Sequence, residues 1–248
     1  MAEEIAGRKI IAVVSGKGGV GKTVTALNLG LALSRFKQVT VVDADVNASN
    51  LALHMGVTWF PVTLQDVLSG SAGIRDAVYQ VQGLNIVPSS LSLSYLNSST
   101  RSLKSVLPYL EGTIIIDSPA GLGRDVMNVL DACTDVIIVT TPEIPSMTNA
   151  IKMLKVAQIS GKNSLGILIN RYHGLLRKEH IADACNAPII GVVPEERNMS
   201  KSAFEKKPIL LSNPSSRASV EFMRIASEIS GNVQKQYGLL RRIFAVRL

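Results

Sequence analysis

Eight residues, Gly16-Lys17-Gly18-Gly19-Val20-Gly21-Lys22-Thr23, carry the most legible chemistry in this chain. They fit G-x-x-x-x-G-K-[ST], a pattern that cradles nucleotide phosphates. Its glycines let the backbone turn so that successive N–H groups point inward at phosphate oxygens. Lys22 is expected to reach the β- and γ-phosphates and the Thr23 hydroxyl to ligate Mg2+. A helix beginning near Thr23 adds its positive dipole end. The alternative is a glycine-rich turn with no ligand, against which the complete motif argues. Carboxylates stand at two further places. Asp43 and Asp45 occur as Val-Asp-Ala-Asp, and Asp117 follows Thr-Ile-Ile-Ile, the Walker B pattern of a carboxylate that holds magnesium through water.

For these residues to meet, strands must deliver them to one edge. Lys9–Ser15, Val39–Asp43, Leu84–Pro88, Thr113–Asp117, Asp135–Thr140, Leu165–Asn170 and Ile189–Val193 read as strands. They are apolar throughout rather than alternating, as parallel strands covered on both faces are. Helical patterns lie between and after them, at Thr23–Ser34, Ser98–Leu110, Ser146–Ile159 and Ser215–Ser230, the last with Gly231 as its stop. The alternation predicts an α/β fold with a doubly wound, mainly parallel sheet of the P-loop type. One domain is expected over residues 1–231, followed by a separate segment, 232–248.

The bulk properties narrow the function classes. No apolar run reaches the length of a membrane-spanning helix, and Met1–Lys9 lacks a signal-peptide apolar region, so a cytoplasmic protein is expected. The two cysteines, Cys133 and Cys185, form no C-x-x-C pair and read as small buried thiols. The net charge of +7 permits an anionic surface as partner without demanding one.

Lys17, directly after the first glycine, makes the loop more specific. With it the chain resembles the deviant Walker A ATPases, the family of MinD and ParA, from about Lys9 to Ser230. The resemblance implies ATP and Mg2+ as cofactors, and a homodimer when ATP is bound. Lys17 would then cross to the partner subunit's nucleotide; a solvated loop lysine is the alternative. Val-Asp-Ala-Asp with Asn50-Leu51 is similar to the family's first switch. By that resemblance Asp43 supports the metal shell and Asp45 orients the attacking water, so the catalytic set is Lys17, Lys22 and Asp45. Strand-end carboxylates capping the next helix are the alternative for that pair. Asp117 with Ser118-Pro119-Ala120-Gly121 resembles the second switch of MinD more closely than that of ParA. Gly121 and Gly123 would let that loop respond to the γ-phosphate. Asn170-Arg171 and Pro194-Glu195 match the two segments that contact the purine, where plain strand-end chemistry is the other reading. Val24 departs from the pattern: a second threonine usually stands there, so the hydroxyl contact to the α-phosphate is missing while the backbone N–H of Val24 remains to bind nucleotide. Asn149 and Gly123 replace acidic residues of the bacterial MinD proteins, which leaves the regulatory partner open.

The segment beyond Gly231 carries Lys235, Arg241, Arg242 and Arg247 and no acidic residue. On a helical wheel Leu239, Leu240, Ile243, Phe244, Val246 and Leu248 gather on one broad side, with Arg241 and Arg242 on the other and Arg247 inside the apolar side. This is similar to the membrane-targeting tail of MinD and implies an anionic membrane surface as partner. A final helix packed on the core is the alternative. The expected function is an ATP-dependent spatial switch on the inner face of the cell membrane, with an unidentified regulatory or cargo protein. Nucleic acid is not expected as a partner. A ParA-like DNA partition ATPase and a metal-cluster-delivery ATPase on the same fold are the alternatives.

Overall fold

Strand β1 (Ile10–Val14) is buried at every residue, and its successive side chains enter two different cores. Ile10, Ala12 and Val14 join one apolar cluster; Ile11 and Val13 join the other. That two-sided burial is why the strand segments are apolar throughout: side chains alternate between faces, and both faces are covered.

The structure, a computed structural model, describes residues 9–46, 49–90 and 102–232. Among them, β1 is joined in one sheet by β2 (Val39–Asp43), β3 (Tyr79–Val81), β4 (Leu84–Val87), β5 (Thr113–Asp117), β6 (Asp135–Thr140), β7 (Asn163–Tyr172) and β8 (Ile189–Pro194). The order is β3-β4-β2-β5-β1-β6-β7-β8. The β3–β4 hairpin is antiparallel and the other pairings are parallel. The chain steps past β5 on leaving β1 for β2, and later passes β1 in going from β5 to β6. The strand order therefore reverses around β1, which opens a crevice at its C-terminal end.

The described helices are α1 (Lys22–Leu33), α2 (Leu51–His54), α3 (Leu64–Ser69), α4 (Leu103–Val106), α5 (Arg124–Ala132), α6 (Ile144–Ile159), α7 (Lys178–Cys185), α8 (Arg197–Phe204), α9 (Ile209–Ser212) and α10 (Arg217–Ser230). One core takes side chains from α3 to α7, the other from α1, α9 and α10. Helix α10 starts with the Ser216 hydroxyl accepting from the Ser219 N–H at 3.1 Å and ends before Gly231, as its spacing predicts. The expected helix Ser98–Leu110 is a correction. Its described part is α4 followed by a 3-10 turn, Leu107–Tyr109, because Pro108 has no N–H to continue the ladder. The edge strand β8 is closed by side chains instead of a further strand. The Val192 N–H donates to Glu221 Oε1 at 2.7 Å, and Arg224 Nη2 donates to the Ile190 carbonyl at 2.6 Å.

Helix α1 carries the loop lysine and must lie close to the sheet. Gly30 permits this: a Cβ there would stand 2.5 Å from Val41 Cγ2, on a β-branched side chain buried in the core. Helix propensity alone makes Gly30→Ala stabilising by about 1 kcal/mol. Overpacking against a stiff valine costs ~1–3 kcal/mol. Urea denaturation of the variant is expected to show a net loss of stability, and a gain would mean that α1 has room to move outward.

Candidate functional site

The glycine-rich loop runs from the end of β1 into α1. Ser15 Oγ donates to the Lys17 carbonyl at 2.7 Å and pins the first turn. Lys17, Gly18 and Gly19 are exposed, whereas Val20 and Lys22 are buried. Gly21 has φ 97°, a left-handed conformation that a side chain resists, and no side chain caps the helix it precedes. The first N–H groups of α1 thus remain available to an anion. Residues 118–121 lie against the same loop: the Gly121 N–H donates to the Ser15 carbonyl at 3.1 Å, and the Ser118 N–H to the Val13 carbonyl at 3.3 Å.

Two carboxylates meet beside this loop. Asp43 and Asp117 end neighbouring parallel strands as register partners, at 0% and 1% exposure. Asp43 is held from several sides. Its Oδ2 accepts from Ser49 Oγ at 2.7 Å and its Oδ1 from the Asp45 N–H at 3.2 Å, while Ser89 Oγ donates to its carbonyl at 2.7 Å. Both carboxylate oxygens of Asp117 are buried without a hydrogen-bond partner among the described residues. The Thr23 hydroxyl lies beside Asp117, outside hydrogen-bond geometry.

Burial, and then the charge of Asp43, push the Asp117 carboxyl up to about 8, with Lys22 pulling the other way. Burial pushes Asp43 up to about 6, opposed by its Ser49 hydrogen bond. Burial lowers Lys22, opposed by Asp117 and Asp45. A lysine, a threonine hydroxyl and an unpartnered carboxylate therefore converge at the open end of α1. Desolvated oxygens of this kind are costly unless a cation or donor arrives, and an oxygen-ligated divalent cation fits the donor set. Asp45 is half-buried at the mouth, its backbone tied to Asp43.

A cavity of about 230 Å³ continues from the loop. Asn170, Arg171, Pro194 and Glu195, predicted from two distant segments, line it together with Gly21 and Val24. Its opposite wall was not anticipated. It includes His54 from α2, Met199 from α8 and Lys207. Nothing in the spacing of these residues marks them, since α2 and α8 are short and reach the cavity through tertiary packing alone. Asn28 is a further missed residue: it donates to the Val24 carbonyl at 2.8 Å and accepts from the Leu210 N–H at 3.0 Å, fixing α1 to α9. The tail residues Leu239, Leu240, Arg241, Arg242, Ile243 and Phe244 lie outside the described residues.

Residues 11–209 match the CobQ/CobB/MinD/ParA nucleotide binding domain family. The chain is 36% identical over 230 residues to an uncharacterized ATP-binding protein of Methanocaldococcus jannaschii, covering 89% of this chain and 87% of that one. Its fold is similar to the cell division ATPase MinD of Pyrococcus furiosus, with TM-score 0.85 and 34% identity, over 90% of this chain and 98% of that one. It is equally similar to the septum site-determining protein MinD of Pyrococcus horikoshii complexed with Mg-ADP, with TM-score 0.86 and 33% identity, over 92% and 98%.

The unpartnered state of Asp117 separates a ligand-holding carboxylate from a structural one. Asp117→Asn keeps the shape and replaces a carboxyl that burial already disfavours in its charged form, so the ligand-free variant is expected to unfold at the same urea concentration at pH 7 or a higher one. A carboxylate that stapled the fold would instead lose stability. The pH dependence follows from the raised values. The folded chain keeps protons on Asp43 and Asp117 that the unfolded chain has released. Their contribution is fully present below about pH 4, the ordinary carboxylate range. It is lost as pH rises through about 6 and about 8. Urea titrations across that window are expected to show the decline, and a shallower one in Asp117→Asn.

Proposed function

The chain belongs to the CobQ/CobB/MinD/ParA nucleotide-binding family, and from that premise we propose that it is a MinD-type ATP hydrolase acting as a nucleotide-dependent spatial switch. The observation that carries this reading is the buried, unpartnered Asp117 carboxylate beside Lys22 and Thr23 at the open end of α1. The relative in complex with Mg-ADP supports a magnesium nucleotide as the ligand.

In this reading the loop N–H groups and Lys22 bind the phosphates of ATP, and the cavity next to Gly21 takes the base. Thr23 and Asp117 would hold Mg2+, with Asp43 supporting the metal shell. Magnesium bound there neutralises charge on the phosphate oxygens. Asp45, at the mouth, orients the attacking water. Its backbone anchor on Asp43 sets where its carboxylate stands. The transition state of phosphoryl transfer is loose, so this placement counts for more than basicity. With one water-positioning carboxylate and an incomplete cation set in each copy, turnover is slow until a second copy arrives. Lys17, exposed at the rim, then reaches the nucleotide of a partner subunit. ATP-dependent pairing follows, because two facing triphosphates repel unless cations stand between them.

The segment 232–248 attaches the pair to an anionic membrane surface. Leu239, Leu240, Ile243 and Phe244 enter the interface, and Arg241 and Arg242 face the lipid headgroups. One short tail holds weakly; two tails on a dimer gain about a hundredfold through effective concentration. ATP thereby places the protein on the inner face of the membrane, and hydrolysis releases it. A regulatory or cargo protein that alters the hydrolysis rate sets where release occurs. Among the described residues no helix is long and apolar enough to cross a membrane, and peripheral attachment requires none.

Lys22→Ala and Lys17→Ala separate binding from pairing. Lys22→Ala is expected to weaken ATP binding in calorimetry by roughly ten- to a hundredfold, the scale of a lost charge-assisted contact. Lys17→Ala is expected to bind ATP nearly as the wild type does and yet fail to dimerise in sedimentation with magnesium. Normal dimerisation of Lys17→Ala removes the cross-subunit role.

Vesicle co-sedimentation tests the tail. Wild-type protein is expected to pellet with anionic vesicles in ATP and not in ADP, less so at high salt. Phe244→Glu is expected to stay in the supernatant while still dimerising in solution. Equal pelleting in ATP and ADP rules out the switch.

A further inference from the structure

Asn170 joins the two halves of the site. It is 4% exposed at the end of β7, and its Nδ2 donates to the Val20 carbonyl of the glycine-rich loop at 2.8 Å, across 150 residues of sequence. Gly21 leaves the space for this contact: a Cβ there would fall 2.2 Å from the same nitrogen. Val20 is itself buried, at 2% exposure, so the amide grips the loop where it is anchored in the core. Asn170 also lines the cavity beside the loop. Immediately after it the β7–β8 pairing slips, between Ile169 and Tyr172, and Arg171 takes a left-handed φ of 53°. The chain thus departs from regular strand geometry where this side chain reaches from the cavity wall to the loop.

We propose that Asn170 is a positioning residue, a strut that holds the Val20–Gly21 turn against β7. One amide then sets both the shape of the phosphate loop and one wall of the base cavity. The proposal rests on the nucleotide-site reading given above and deepens it. A carbonyl can only accept, so Nδ2 must face Val20, and the amide cannot flip without breaking the strut. Its Oδ1 is left as the acceptor on the other side, matched to a base edge that offers an amino group. The same edge with a carbonyl oxygen would set two acceptors against each other. Phosphate binding that involves no base therefore also depends on Asn170, which a residue that only read the base would not affect.

Calorimetry with magnesium tripolyphosphate and with magnesium ATP separates the two. Asn170→Ala is expected to weaken tripolyphosphate roughly three- to tenfold, the worth of one buried hydrogen bond, and ATP by at least as much, because the contact to the base is lost as well. Amides of residues 16–21 are expected to exchange hydrogen faster in the ligand-free variant than in the ligand-free wild type. The isosteric Asn170→Asp sets an acceptor against the Val20 carbonyl, and it carries the same test if the alanine variant does not fold. Weakened ATP binding with unchanged tripolyphosphate binding and unchanged exchange overturns the strut and leaves Asn170 a base reader. A wild type that binds neither ligand overturns the nucleotide-site reading itself. If the wild type binds ATP but not tripolyphosphate, the exchange comparison alone decides for or against the strut.

Discussion

Two aspartates leave adjacent parallel strands side by side and are taken wholly out of water. Burying a carboxylate costs several kcal/mol unless something compensates it. Asp43 is compensated from within the chain by Ser49 and the Asp45 N–H. Asp117 has no such partner among the described residues, and burial disfavours the charged form of the neighbouring Lys22. The ligand-free site is therefore held at a disadvantage that a cation beside Asp117 would relieve. Much of the surrounding architecture keeps this arrangement in place. Ala44 donates to the Asp117 carbonyl, Gly121 to Ser15, and Ser89 braces Asp43 from the far side.

The sheet makes that arrangement affordable. Strands β2 and β5 are buried on both faces, and their register places Asp43 opposite Asp117. A one-residue slip of β2 against β5 would separate the carboxylates and turn the apolar side chains of β2 to the wrong cores. The reversal of strand order around β1 leaves its C-terminal end uncovered, and the glycine-rich loop occupies that opening. Helix α1 then carries the loop lysine downward along the sheet. Gly30 against Val41 and Asn28 against Leu210 fix its height and its outer face.

The glycine-rich loop and the cavity beside it are continuous. Gly21 and Val24 belong to both, and Asn170 ties β7 to Val20. Edge strand β8 brings Pro194 and Glu195 to the same cavity, and the Glu221–Arg224 pair of α10 closes that edge. The base-proximal wall is thus supported by a helix whose other face packs on α1. A change of helix position at either end of the site has a direct route to the other.

Much of this was legible in the order of residues. The phosphate loop depends on local geometry, and eight consecutive residues specify it. The parallel strands were legible because two-sided burial leaves an unbroken apolar run. Helix α10 was legible from its spacing and its terminal glycine. What the chain order did not reveal depends on packing between distant segments. The hairpin strand β3 is three residues long, too short to show a period. Helix α4 ends early because one proline outweighs the apolar spacing around it. His54 and Met199 reach the cavity from short helices, and Lys207 from the connection between α8 and α9, all positioned by their neighbours. The contact from Asn170 to Val20 spans 150 residues, so only the closed sheet could bring the two together. The sequence determined which groups are present and the local turns that aim them. The tertiary structure decided which carboxylate is satisfied and which is left open, because hydrogen-bond partners for buried groups come from whichever segments the sheet brings alongside.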